Sequence, residues 1–108
     1  MGIIEIDTER GKQLGLTSDR FMPGTYLWEE PARIMISFVH TVGKGNFKAL
    51  VAAIHAEGKD VAVPTPLPMM ERIVRKNGYI HSIEDAGDIG PCEVWTLPAP
   101  ASAKGVEP

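Results

Sequence analysis

The spacing of apolar residues divides the chain into short strands and two helices. Ile3-Ile4-Glu5-Ile6 reads as a first strand. Thr8 to Gly24 has weak periodicity with scattered Gly, Ser and Pro, and reads as loop with room for one helical turn. Thr25-Tyr26-Leu27-Trp28 is β-branched and aromatic, the composition of a strand. Glu29-Glu30-Pro31-Ala32 turns the chain, and Arg33 to Val42 returns as the second arm of a hairpin. That arm is apolar at successive positions, Ile34, Met35, Ile36, Phe38 and Val39, which predicts a central strand covered on both faces.

Gly43-Lys44-Gly45 breaks the strand, and Asn46 is a residue type that favours helix N-caps. Phe47, Leu50, Val51 and Ile54 follow at i, i+3, i+4 and i+7, one stripe of an amphipathic helix that Gly58 ends. Asp60 to Val63 is a short buried strand, so strand, helix and strand form a right-handed parallel crossover. Pro64 to Pro68 is stiff and extended. A second helix buries Met69, Met70, Ile73 and Val74, closes at Asn77-Gly78, and packs Tyr79 against its end. Ile80 to Ile83 and Cys92 to Leu97 complete the order β-β-β-α-β-α-β-β. The expected class is α/β, a mixed α+β domain over residues 1–97. An Ala/Pro-rich tail over 98–108 has too little apolar surface to offset the entropy of ordering.

Composition narrows the function classes. The chain has 108 residues, 44% hydrophobic and 23% charged, which suits one globular domain. Its formal net charge is −3 and its basic residues are scattered, which argues against nucleic-acid binding. No apolar run approaches the ~20 residues that span a bilayer, and the N-terminus lacks a basic, apolar leader. A single cysteine, Cys92, forms no internal disulfide, so a cytoplasmic setting is expected. His40, His55, His81 and Cys92 are too widely spaced for a zinc pattern, and no metal is expected.

Three segments carry a resemblance. Val42-Gly43-Lys44-Gly45-Asn46-Phe47-Lys48 looks like the pyrophosphate loop of the GNAT N-acetyltransferase superfamily and the helix that follows it. Met70 to Tyr79 is similar to that family's last helix, which ends in Gly-aromatic, and Glu93-Val94-Trp95 resembles its final strand. The likeness covers residues 25–97. It implies a GNAT-like central mixed sheet and acetyl-CoA as the cofactor. It also implies acetyl transfer to an amine, on a protein or peptide where the acceptor site is open, with a second subunit as one way of completing that site.

The resemblance assigns cofactor binding to Phe38, Val39, Val42, Gly43, Lys44, Gly45, Asn46, Phe47 and Lys48. Glycines allow a phosphate to approach helix N-terminal amides that have no internal partner. Backbone near Phe38 and Val39 would hold the pantetheine arm. The catalytic candidates are His40, Glu29 and Tyr79: His40 or Glu29 to take a proton from the amine, Tyr79 to return one. Val42 stands where the family has Arg or Gln, Phe47 where it has Gly or Ala, and Val74 where many members carry a tyrosine acid. The alternative expectation is a non-catalytic interaction module on the same scaffold.

Overall fold

The structure, a computed structural model, describes residues 2–66, 68–85 and 87–100. β1 (Gly2–Glu5), β2 (Tyr26–Glu29), β3 (Arg33–Phe38), β4 (Asp60–Pro64), β5 (Ile80–Asp85) and β6 (Pro91–Leu97) form one sheet. Their spatial order is β1-β2-β3-β4-β6-β5. Every neighbouring pair is antiparallel except β3 and β4. The helices are α1 (Glu9–Gln13), α2 (Asn46–Ala56) and α3 (Pro68–Lys76). Apart from α1, the element order is the one the periodicity predicts. No helix among the described residues is long and apolar enough to cross a membrane.

Local chemistry explains each helix. Thr8 caps α1, its Oγ1 accepting from Gly11 N at 3.0 Å. Gly11 is obligatory there, since a Cβ would lie 2.3 Å from the carbonyl oxygen of Glu5. In α2 the predicted stripe holds: Leu50 and Ile54 are fully buried, Phe47 and Val51 half-buried against the same core. Gly58 ends that helix in the left-handed region, its N–H bonded to His55 O at 2.9 Å. At the end of α3 the Tyr79 N–H donates to Val74 O at 3.2 Å, and the Tyr79 ring is buried.

Cross-strand register puts the core on one face. Ile4, Leu27, Ile36, Ile34, Val61, Val63 and Trp95 are linked by pairing and alternation along that face. They cluster with Leu50 and Ile54 of α2, Val74 of α3, and Leu14, Leu16 and Phe21 of the N-terminal segment. Each fully buried aliphatic side chain contributes about 1.5–3 kcal/mol relative to exposure.

The other face corrects the expectation that β3 is covered on both sides, since Met35 is only half-buried there. Ile3, Trp28, Met35, Ala62, Thr96 and Ile80 form one row across all six strands of that face. Ile3, Trp28 and Ile80 are 60%, 41% and 59% exposed, so the row is open toward both edges of the sheet. Ala62 and Val94 are nonetheless buried. On their face Arg33 of β3 reaches Glu84 of β5 through two hydrogen bonds of 2.8 and 2.9 Å. Two strands lie between them, so the sheet must coil to bring them together. Apolar residues on both faces of a strand therefore mark burial by neighbouring strands as readily as by a helix.

Past Leu97 the chain stays packed. Ala99 is buried and its N–H donates to Asp60 at 2.9 Å. Only residues 101–108 of the expected tail lie outside the described residues.

Candidate functional site

The one parallel pair in the sheet is three residues long. Arg33, Ile34 and Met35 of β3 register with Asp60, Val61 and Ala62 of β4, and pairing then stops. Two features end it. Asp60 N donates to Ala32 O, so by the period of two the N–H of Ala62 and the nitrogen of residue 64 also face β3. Residue 64 is proline and has no N–H to offer Ile36 O. On the other side β3 departs from regular register: Tyr26 opposes Phe38 while Leu27 opposes Ile36, leaving Ser37 as the extra residue of a bulge. A bulge bends its strand, and here it bends where the parallel ladder fails.

Beyond that point β3 runs on alongside a different partner. His40 N donates to Thr25 Oγ1 at 3.1 Å, Met22 N donates to His40 O at 2.8 Å, and Val42 N donates to Arg20 O at 2.8 Å. These bonds pull residues 40–42 toward the N-terminal segment and away from β4. Between the diverging strands lies a cleft of about 510 Å³. Ile36, Val63, Met70 and Ile73 supply its apolar wall, and Phe38, Val39 and His40 its β3 side. The N–H and C=O of Val39 have no hydrogen-bonding partner among the described residues. The His40 ring stacks on Phe38 with centroids 4.8 Å apart. His40 is the one titratable side chain among the described residues that line the cleft.

The N-terminus of α2 stands at the end of this cleft, with Phe47 in its wall. Asn46 does not cap the helix, contrary to expectation. Gly45 is the N-cap, with φ of 85°, and gives no side-chain bond. The Asn46 amide instead donates backwards to Val42 O and, at 3.2 Å, to Arg20 O. It pins the loop and leaves the helix amides alone. The N–H groups of Lys44, Gly45, Asn46, Phe47 and Lys48 have no acceptor among the described residues. Nothing lies within 4 Å of where a Cβ would stand on Gly43 or Gly45. Lys44 and Lys48 are exposed and have no ion-pair partner among the described residues. The arrangement is a row of free amides at a positive helix end, flanked by two cations, and it suits a phosphorylated ligand. Phe47 does not block it, because its ring is half-buried against the core. Val42 is 46% exposed and contributes no polar group.

The remaining candidates lie elsewhere. Glu29 pairs with Ile34, six residues before His40, which is about 20 Å along an extended strand. It belongs to an ion cluster, accepting from Arg10 at 2.7 Å and Lys59 at 2.6 Å, while Arg10 also holds Glu57. The hydrogen bonds from Arg10, then those from Lys59, hold its carboxyl down at about 2. That carboxylate is a structural anion, not a base near neutral pH. Tyr79 does not line the cleft, and burial pushes its phenol up to about 12. His55, on the polar side of the α2 stripe, is half-buried with Nε2 2.9 Å from Leu97 O. His81 lies on β5 with its ring against Trp95.

Thr25, Ser37 and Pro64 also shape the site, and sequence reasoning misses all three in that role. Pro64 is visible in the sequence only as the start of a stiff segment. The roles of Thr25 and Ser37 depend on which strands pair, which no local signal carries. In comparisons with known proteins, no family model, no curated protein and no solved structure matches this chain.

Proposed function

We propose that the chain is a small GNAT-like acyltransferase that binds acetyl-CoA in the cleft between β3 and β4 and passes the acyl group to an amine. The observation that carries this reading is the junction itself. A three-residue parallel ladder opens into an apolar cleft that ends on free amides at a helix N-terminus. The family that residues 25–97 resemble lays its pantetheine arm in such a gap and its pyrophosphate on such a loop.

Acetyl-CoA supplies the activated thioester. On this reading the amides of Lys44 to Lys48, with the ammonium groups of Lys44 and Lys48, hold the diphosphate. The free N–H of Val39 is available to a carbonyl oxygen, as a backbone donor fixed before the ligand arrives. The His40 ring is the one titratable group among the described residues lining the cleft, and on this reading it accepts the amine proton. Stacking on Phe38, and the bond from His40 N to Thr25, hold that residue in place. The acceptor is an amine that reaches the open side of the cleft; a protein or peptide amine suits so little surrounding structure.

A second reading, a binder without turnover, is favoured by one observation. Val74 has no proton to give and Tyr79 is part of the core, so neither protonates a departing thiolate. Thermal unfolding with acetyl-CoA, CoA and ATP tests the site. Ligand at ~100 times its dissociation constant adds about 2.7 kcal/mol. That raises the midpoint by roughly 10–20 °C in a domain of this size. A rise with acetyl-CoA and CoA but not ATP is expected, and no rise with any of them would end both readings. Release of free thiol in the presence of amines then separates enzyme from binder.

A further inference from the structure

The free edge of the sheet at β5 has the pattern of a self-pairing surface. β5 has β6 as its one ladder partner and ends the sheet. All six of its residues pair with β6 without a register break, and all but Glu84 are exposed. Edge strands are commonly protected by shortness, a bulge, proline or charged side chains, lysine above all. β5, Ile80-His81-Ser82-Ile83-Glu84-Asp85, has no bulge, proline or lysine; its charges are the acidic Glu84 and Asp85 at one end.

The side-chain order decides what pairs there. His81, Ile83 and Asp85 share one face of the strand. Read from either end, that triplet is a chargeable group, an apolar group, and a group of complementary charge. Ile83 at its centre is 62% exposed. Antiparallel pairing of two copies about a two-fold axis through Ile83 places Ile83 against itself and His81 against Asp85 of the second copy, twice. On the opposite face Ser82 meets Glu84 of the second copy, two groups already held within each copy by Val94 O and by Arg33. A two-fold axis through Ser82 instead would set Ile80 against Glu84 and His81 against Ile83, losing both His81–Asp85 contacts, so the register through Ile83 is favoured. The other edge, β1, lacks this property, because centring on Ile4 opposes Ile3 to Glu5.

The groups have capacity to spare. His81 uses Nε2 on Glu93 at 3.2 Å and keeps its other ring nitrogen. Asp85 accepts from Gly87 N at 2.9 Å through one oxygen and keeps the second. We infer that the chain forms a symmetric dimer by antiparallel pairing of β5 with β5 of a second copy, joining the two sheets into one. The cleft lies between β3 and β4, so the dimer leaves it open and the inference stands apart from the acyl-transfer reading.

Sedimentation equilibrium of the full chain tests it. The wild type is expected to be a dimer. Ile83→Lys, which places two ammonium groups at one point, is expected to weaken association on the order of 100-fold with an unchanged circular dichroism spectrum. Asp85→Lys is expected to do the same, and the pair His81→Asp with Asp85→Lys to restore association. Opposed residues in an antiparallel pair sit about 4.5–5.5 Å apart at Cα, within disulfide range. Ile83→Cys in a Cys92→Ser background is therefore expected to cross-link to itself on oxidation, a test that holds even where Ile83→Lys fails to fold. A wild type that stays monomeric, a dimer indifferent to Ile83→Lys, or an Ile83→Cys variant that does not cross-link would overturn the inference.

Discussion

Replacing Glu29 by Gln separates the structural reading of that carboxylate from a catalytic one. The substitution keeps the shape and removes the charge that Arg10 and Lys59 share. The fall of the Glu29 carboxyl from 4.5 to about 2 would correspond to about 3 kcal/mol if no water screened it. Its side chain keeps 21% of its accessibility and Lys59 keeps 19%, so the effect at pH 7 should shrink to about 1–2 kcal/mol. That lowers the thermal midpoint by roughly 5–15 °C. The sign with pH follows from the direction of the shift. A carboxyl depressed by folding stabilises above its unfolded value and loses that contribution as pH falls toward its folded value. Melting curves of wild type and Glu29→Gln should therefore differ at pH 7, approach each other below about pH 4.5 and meet near pH 2. Equal midpoints at pH 7, or a gap that persists undiminished at pH 2, would refute the reasoning. Acyl transfer, if present, should survive the substitution in the protein that remains folded.

Other outcomes follow from the same geometry. Ile54→Ala empties a fully buried position beneath β4 and should cost about 2–5 kcal/mol, read as a shifted urea midpoint with an unchanged slope. Lys44→Glu reverses an exposed charge beside the free α2 amides, so CoA affinity measured by calorimetry should fall about tenfold or more while the melting midpoint hardly moves. His40→Ala should lower acyl transfer by about 10²-fold or more in initial-rate assays, with little change in CoA affinity by calorimetry.

Much of the fold is legible in the sequence because its signals are local. The α2 stripe, the glycine ends of α2 and α3, and the aromatic plug at Tyr79 each depend on a few neighbouring residues. What escapes a sequence reading is set by partners distant along the chain. Asn46 has the chemistry of a cap, yet its amide finds the carbonyls of Val42 and Arg20, and the second of these lies 26 positions away. Glu29 at a hairpin end has the chemistry of a base, yet Arg10 and Lys59 hold it as an anion. The apolar run of β3 gives its central place in the sheet. It does not reveal that Arg33 and Glu84 shut part of one face without a helix. Of the site, the glycine loop and His40 are legible; the bulge at Ser37 and the missing donor at Pro64 are not.

The shortness of the β3–β4 ladder bears on how the molecule comes apart. To one side lie β1, β2 and β3, joined by hairpin-like antiparallel pairing; to the other, β4, α3, β5 and β6. Within the sheet these two blocks are stitched by three residue pairs, helped by the crossover helix and by Arg33 and Lys59 reaching across. Proteins open in cooperative units, and the one parallel seam, where the ladder ends early, is a natural boundary between two of them. Amide exchange should show the halves protected to different depths, with the unbonded amides of Val39 and of Lys44 to Lys48 exchanging ahead of the strand centres. A ligand in the cleft would touch both blocks, so its binding should slow exchange on both sides of the seam at once.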